Sequence, residues 1–250
     1  MKPKAGRKRL DLLLVERGCA ESAQKAMAMI LAGEVQVDGQ RVEKAGIPVA
    51  KDARIEITSR LQKFVSRGGV KLEGALEDLA IDPDGCVCLD IGASNGGFTD
   101  CLLQHGAERV YAVDVNVEQL DWKLSQNPRV ISIKRNAREL RVEDLPESVD
   151  LVVIDVSFIS VRKVIAPAVE VAKPGAVFLI LIKPQFELRR EDIGPGGIVK
   201  DQTLHDQAVL VVRESLESLA LDCLGVRPSR LLGAEGNQEY FLHARKKGLG

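Results

Sequence analysis

Asp90, Gly92, Gly96 and Gly97 stand in the segment LDIGASNGGFTD, residues 89–100, where the apolar run Cys86, Val87, Cys88, Leu89 ends in an acid and a glycine-bearing loop leads into a helical pattern. Glycine has no Cβ, so its backbone can approach a ligand closely and adopt positive φ. A second apolar run, 110–115, carries Asp114 near its end, 24 residues after Asp90. An acid at that distance can accept hydrogen bonds from ribose hydroxyls. Together these residues predict a site for a nucleoside-containing cofactor, with Phe98 in the same cradle. The glycine spacing is not G-x-G-x-x-G, which argues against a dinucleotide. Ser94 and Thr99 either hydrogen-bond the cofactor or cap the helix that follows. Two further polar residues end apolar runs: Asp155 in VVIDVSF and Lys183 in LIKPQFE.

These residues need a scaffold that brings strand ends together. Strands are predicted at 87–91, 110–115, 130–134, 151–156 and 176–182, with helices between them at 97–105 and 161–172. A last helix is expected at 204–219, followed by strands near 221–226 and 240–244. Near-continuous apolar strands alternating with helices predict a parallel sheet covered on both faces. In such sheets the ligand sits beyond the carboxyl ends of the strands, at the switch point. Asp90, Asp114, Asp155 and Lys183 all fall at such ends.

The chain has 250 residues, 45% of them apolar and 28% charged, as in ordinary globular proteins. No apolar run approaches the ~20 residues that span a bilayer, and no apolar core follows the basic N-terminus, so no signal peptide is expected. The five cysteines show no C-x-x-C spacing. Neither a disulfide framework nor a metal site is expected, and the predicted location is the reducing cytoplasm. Residues 1–70 hold 14 Lys+Arg against 8 Asp+Glu, and the remainder 21 against 28. A basic small part beside an acidic large one predicts a polyanionic partner engaged mainly from the N-terminal side. The alternative is that Lys2, Lys4, Arg7, Lys8 and Arg9 form a solvated tail.

Leu10, Leu13 and Leu14 recur at helical spacing, with Gly18 as a stop. Ser22 can cap a second helix running to Ala32, with Gly33 beyond it and Met27, Ile30 and Leu31 as its buried face. Residues 35–42, VQVDGQRV, alternate around an Asp-Gly turn and predict a hairpin. Ile55 and Ile57 read as one more strand. On the segments RLDLLLVERG, SAQKAMAMILAGEVQVDGQRV and DARIEI, this stretch resembles an S4-type RNA-binding domain. That resemblance implies a small α+β domain over 1–58, whose basic face holds structured RNA by backbone and shape. Arg9, Lys25, Arg41 and Lys44 are the candidate contacts. Arg41 and Lys44 alternatively solubilise an edge hairpin. Residues 59–69, ending in Gly68-Gly69, read as a linker, and 70–250 as the larger domain.

The segments SRGGVKLEGAL, CLDIGASNGGFTDCLLQHGA, VYAVDV, LVVIDVSFIS, LIKPQFE and EGNQEYFLHARK resemble the TlyA/hemolysin-A family of ribosomal RNA methyltransferases, over nearly the whole chain. The resemblance implies an S4-type domain joined to an FtsJ-like, Rossmann-like α/β domain that uses S-adenosylmethionine. It implies methyl transfer to a ribose 2′-hydroxyl, that of a cytidine in ribosomal RNA or a ribosomal subunit. It also implies a catalytic quartet, which falls here on Lys71, Asp155, Lys183 and Glu239. Asn136, in RNARE, resembles the place where such enzymes touch the adenine edge; a turn-forming role is the alternative.

A ribose hydroxyl is a poor nucleophile at neutral pH. It must be held in line with the sulfonium methyl and relieved of its proton. Positioning contributes several kcal/mol, up to ~7–11 in the best intramolecular cases. Lys183 is expected as general base or oxyanion holder beside Asp155. Lys71 and Glu239 complete the frame, and which lysine takes the proton stays open. Methylation at pyrimidine carbon-5 needs a nucleophilic cysteine, and none lies near Asp155 or Lys183 in sequence. Exocyclic-amine methylation typically uses an acid, two prolines and an aromatic, but Asp155 is followed by Val156, Ser157 and Phe158. A non-enzymatic RNA-binding assembly factor and a membrane-lytic protein are the readings from other classes. Residues 194–197, GPGG, read as a flexible loop near the strand ends, and 187–193, with Arg189 and Arg190, either touch RNA or are merely exposed; the segment is expected to be a mobile cover that orders on substrate binding.

Overall fold

Local signals in the N-terminal part turn into caps and turns. The computed structural model describes residues 6–20, 22–57 and 63–248, and the chain divides into two units, Met1–Lys63 and Phe64–Gly250. Lys2, Lys4 and the expected linker residues 59–62 lie outside the described residues. Strand β1 (Arg7–Arg9) leads into helix α1 (Leu10–Glu16), whose Leu10, Leu13 and Leu14 are buried. Ser22 Oγ accepts the Lys25 N–H at 3.2 Å and caps α2 (Ala23–Leu31), and Gly33 ends it at φ +72°. The buried face of α2 is Ala26 and Ile30 rather than Met27 and Leu31, which are exposed. The i, i+4 stripe facing α1 runs through 26 and 30, and Met27 and Leu31 stand one residue round the helix.

Strands β2 (Val35–Val37) and β3 (Gln40–Arg41) form the expected hairpin, with Asp38 at φ +51° and Gly39 at φ +80° as a type I′ turn requires. Strand β4 (Pro48–Ala50) pairs with β1, and β5 (Ile55–Ile57) pairs with β2. Leu10, Leu14, Ile30, Val35 and Val49 share one core.

The second unit begins earlier than the linker reading placed it. Phe64 is buried, Val65 N–H donates to Asp100 Oδ2 at 2.8 Å, and helix α3 (Arg67–Asp78) includes both Gly68 and Gly69. Next come β6 (Val87–Ile91), α4 (Gly97–Gln104), β7 (Arg109–Asp114), α5 (Trp122–Ser125), β8 (Val130–Lys134), β9 (Val149–Ile154), α6 (Arg162–Val171) and β10 (Ala172–Ile182). Helices α7 (Pro184–Glu187) and α8 (Gln202–Glu217) precede β11 (Leu221–Pro228) and β12 (Tyr240–Lys246).

The seven-stranded sheet has the order β11-β12-β10-β9-β6-β7-β8. It is mixed rather than wholly parallel, because β12 runs antiparallel to both β10 and β11. Alternation along the strands serves two cores. Leu89 and Ile91 face the layer holding Val164, Ile165, Val212 and Leu216 of α6 and α8. Cys88 and Val110 face Leu72, Leu76, Cys101 and Leu102 of α3 and α4. Cys88 lies in that core with Cys86 packed against it, and burial pushes the Cys88 thiol up, as expected of an inert structural cysteine. Among the described residues no helix is long and apolar enough to cross a membrane.

Candidate active site

Strand β6 pairs with β7 on one side and with β9 on the other, so its carboxyl end is the switch point of the sheet. Gly92 follows it at φ +85°, with its N–H donated to Val113 O at 2.9 Å. A Cβ on Gly92 would lie 2.2 Å from the Asp155 carbonyl oxygen. The turn after β6 thus packs directly on the residue after β9, which only glycine allows. Gly92→Ala is expected to cost about 3 kcal/mol or more of stability, read from the denaturation midpoint.

A cavity of about 480 Å³ opens at this rim, within the ordinary range for a small-molecule site. Gly92, Ser94, Asp114 and Asn136 form one wall; Asp155, Ser157 and Phe158 belong to the other. Asp114 accepts the N–H groups of Ser94 and Asn116 at 2.9 Å each. A carboxylate has roughly four lone-pair sites, so two remain for ribose hydroxyls. Asn136 Oδ1 accepts the Arg138 N–H at 3.2 Å and caps its own turn.

Asp90 is fully buried beneath this wall. Thr99 Oγ1 donates to its Oδ2 at 2.7 Å, and Oδ1 has no partner among the described residues. Burial pushes this carboxyl up to about 7, with the Asp155 and Asp114 charges adding to the rise and the Thr99 hydrogen bond opposing it. Between about pH 4 and pH 7 the folded protein therefore keeps a proton that the unfolded chain has lost. Stability falls as pH rises through that window and levels off above it. Asp90→Asn is expected to remove this slope and to gain roughly 4 kcal/mol at pH 8 but little at pH 4. Denaturant titrations at the two pH values measure it. Asp90 does not itself line the cavity, but an acid held at such a cost, with one oxygen unmatched, fits a ligand bearing a cationic N–H group.

Gly96, Gly97 and Phe98 shape the loop rather than line the cavity. Gly96, at φ +90°, is the N-cap of α4 itself, and a Cβ there would meet Leu124 at 2.3 Å. A Cβ on Gly97 would meet Ser66 Oγ at 2.1 Å and Gly69 N at 2.9 Å. Gly97 thus lets the start of α4 lie close against the first turn of α3 at Gly68 and Gly69. Phe98 is buried and stacks on Phe241 at 6.1 Å. Ser94 and Thr99 do not cap α4: the Ser94 N–H and the Thr99 hydroxyl serve Asp114 and Asp90.

The four polar residues expected to act together form two ammonium–carboxylate pairs. Lys183 Nζ lies 2.5 Å from Asp155 Oδ1 and donates to Ser157 Oγ at 2.7 Å. Lys71 Nζ donates to Glu239 Oε2 at 2.6 Å, with both residues buried. The register explains why these pairs meet. Ile180 stands beside Ile154 and Ile182 beside Tyr240. Lys183 and Glu239 are then the next positions out on neighbouring strands, about 4.8 Å apart, whereas Asp155 is level with Leu181, and the long Lys183 side chain spans the two-residue offset to it. Glu239 precedes its strand, and it reaches this rim because β12 is the antiparallel one.

Lys71 comes in from α3. Arg230 forks onto Asp78 and Glu77 of α3, and Arg67 donates to Leu232 O, so the turn before β12 is tied to the helix that carries Lys71. Ser157 and Glu187 escaped sequence reading. Their signal was position alone: Ser157 two residues after Asp155, Glu187 one helical turn after Lys183.

In the N-terminal unit Arg9, Lys25, Arg41 and Lys44 are all exposed. Arg9 grips Asp11 at 2.7 Å, and this hydrogen bond holds the Asp11 carboxyl below the usual range. Arg41 lies across Gly33 and pairs with Glu43 at 3.3 Å.

Comparison with known proteins follows the two units. Residues 8–55 match the S4 domain, and residues 64–246 match the FtsJ-like methyltransferases. The chain is 44% identical to the 16S/23S rRNA (cytidine-2′-O)-methyltransferase TlyA of Mycobacterium tuberculosis, over 96% of this chain and 91% of that one. It is 41% identical to Hemolysin A of Brachyspira hyodysenteriae, over 94% and 98%. A solved structure from Streptococcus thermophilus, described as a candidate hemolysin, superposes with a TM-score of 0.76 at 35% identity, over 97% of this chain and 89% of that one.

Proposed function

The chain belongs to the TlyA/hemolysin-A family of S4-plus-FtsJ-like methyltransferases, and from that membership we propose that it methylates a ribose 2′-hydroxyl of ribosomal RNA, with cytidine as the target nucleotide. Methyl transfer to RNA from S-adenosylmethionine is the family's chemistry; the ribose, the cytidine and the residue roles below are our reading. The observation that carries it is the Lys183–Asp155 pair at the strand ends, whose Asp155 lines the nucleoside-sized cavity, with the Lys71–Glu239 pair formed at the end of the adjoining strand. The residues fit the cofactor. Asp114 faces the ribose hydroxyls, and the unmatched Asp90 Oδ1 and the Gly92 turn suit the methionine end. Bound there, S-adenosylmethionine supplies an electrophilic methyl group on a sulfonium.

The rest is work for the chain's own side chains. The Lys183–Asp155 pair acts as a unit: the ammonium steadies charge on the substrate oxygen, and the pair takes up the proton that the hydroxyl releases. Ser157 holds the Lys183 Nζ on the cavity side of this pair. Lys71 and Glu239 contribute a second neutral pair that fixes the neighbouring wall. Phe158, 86% exposed at the cavity mouth, offers a ring on which an unstacked base can lie. The exposed Arg9, Lys25, Arg41 and Lys44 of the S4 domain are placed to contact RNA phosphates, those of free RNA or of a ribosomal subunit in the cytoplasm.

Mass-spectrometric mapping of ribose methylation in rRNA, from cells with and without this protein, tests the reading. One or more 2′-O-methylcytidines are expected to vanish with the gene and to return when purified protein and S-adenosylmethionine are added. An unchanged map, or a product methylated on a base, would overturn it.

A further inference from the structure

Lys183, Phe186 and Glu187 fall at i, i+3 and i+4 around the turn that follows β10, so they share one face. All three grip a single loop, residues 155–162. Lys183 holds Asp155 and Ser157, and the Phe186 ring lies 5.5 Å from that of Phe158. Glu187 accepts Ser160 Oγ–H at 2.6 Å and Val161 N–H at 2.8 Å, and its carboxylate lies 3.4 Å from Arg162 Nε.

The Glu187 side chain is wholly buried, yet it does not line the cavity. A carboxylate is removed from water only where hydrogen bonds replace the lost solvation, and here the bonds from Ser160 and Val161 and the contact with Arg162 all come from that one loop. The loop needs holding. Phe158 sits at φ +65°, a left-handed conformation that is an outlier for a bulky residue. Such strain persists only where the surroundings over-determine it. The expected mobile cover beginning at 187 thus starts instead from a fixed foot. Its far end is fixed too, since Asn237 takes the Val199 N–H at 2.9 Å and donates to Gly197 O at 2.9 Å.

We propose that Glu187 is a positioning residue for methyl transfer: it pins the 155–162 loop so that Asp155 and Ser157 meet Lys183 and the strained Phe158 stands at the cavity mouth. This rests on the methyltransferase reading above. Glu187 acts only through the loop; its Val161 bond alone would also serve as an ordinary cap of α6, so the test must separate the two.

Glu187→Ala, Glu187→Gln and Ser160→Ala are compared with the unaltered full-length chain. Steady-state methylation of rRNA, S-adenosylhomocysteine binding by calorimetry, the thermal midpoint and amide exchange over 155–162 are measured on each. In Glu187→Ala, kcat is expected to fall about 100-fold, with KM for RNA and Kd for S-adenosylhomocysteine moving less than threefold and the loop amides exchanging faster. Glu187→Gln, which keeps an acceptor for Val161, is expected to recover about tenfold of the loss. The proposal is overturned if kcat stays within twofold in all three variants. It is also overturned if kcat, Kd and thermal midpoint decline together as a simple loss of fold predicts. Should Glu187→Ala not fold, the other two variants decide. If the unaltered protein methylates no ribose, the functional reading fails instead; unchanged loop exchange in the variants would then still refute the pinning.

Discussion

Lys183→Ala is expected to lower ribose methylation by at least about 10³-fold while S-adenosylhomocysteine still binds. Two losses combine. The ammonium that steadies the substrate oxygen is gone, and removing one preorganised charge or donor of that kind costs ~10²–10³ in rate. The proton-accepting pair is also broken, and positioned acid–base groups contribute ~10²–10⁴. Cofactor affinity is expected to be spared because the contacts of Lys183 go to Asp155 and Ser157 rather than to Gly92, Ser94 or Asp114 on the cavity lining. Folding is expected to lose less than in a fully buried pair, because 22% of the Asp155 side chain is exposed at the cavity and truncating Lys183 opens a path for water to its buried Oδ1. Lys183→Arg is the sharper control. It restores the charge but not the compact ammonium that reaches both Asp155 and Ser157, so it is expected to remain at least about 10²-fold impaired. Measured activity near that of the unaltered chain in either variant would remove Lys183 from the chemistry.

Glu239→Ala is expected to behave differently, as a loss of fold before a loss of catalysis. The Lys71 and Glu239 side chains are 10% and 3% exposed, and they meet at 2.6 Å. Deleting one member of such a pair strands the other charge without solvent, a cost of about 3–5 kcal/mol. A drop of this size should be plain in a denaturant midpoint. Lys71→Met combined with Glu239→Leu removes both charges, and exchanges of buried ion pairs for apolar residues are often neutral or better. The double variant is therefore expected to regain most of the lost stability while remaining inactive in rRNA methylation. The comparison separates the structural cost of a stranded charge from the catalytic need for the pair. A double variant that methylates RNA at the original rate would show that the pair is scaffolding alone. One that stays as unstable as Glu239→Ala would show that the charges were not each other's main partners.

Much of this molecule was legible before any coordinates. The strand ends at Asp90, Asp114, Asp155 and Lys183 were readable because apolar runs of strand length stop at a polar residue only where the sheet meets solvent or a ligand. The S4-like hairpin was readable because Asp38-Gly39 can supply two consecutive positive φ angles. Of the residues expected around the cofactor, Gly92 and Asp114 line the cavity, whereas Gly97 and Phe98 do not. A glycine required for close helix contact and a glycine required for ligand approach look the same in sequence, since both report only that no Cβ fits. On α2 the expected face of Met27, Ile30 and Leu31 holds at Ile30 alone: Ala26 is buried in place of Met27 and Leu31, because the apolar residues at 26, 27, 30 and 31 allow two neighbouring stripes and only packing against α1 selects one.

What the sequence determined by itself was local: which residues form strands, where caps and turns fall, and which polar side chains end up at strand termini. Those outcomes depend on periodicity and on backbone preferences within a few neighbours. Tertiary structure alone decided which of those termini meet. The reversed direction of β12 brings Glu239, which precedes its strand, to the rim where Asp155 and Lys183 follow theirs, and the close glycine contact of α4 with α3 helps set the helix that carries Lys71. Strand pairing such as Val177 with Arg245 joins distant parts of the chain, Lys71 meets Glu239 across 168 positions, and no local pattern encodes the direction in which a distant strand is laid down.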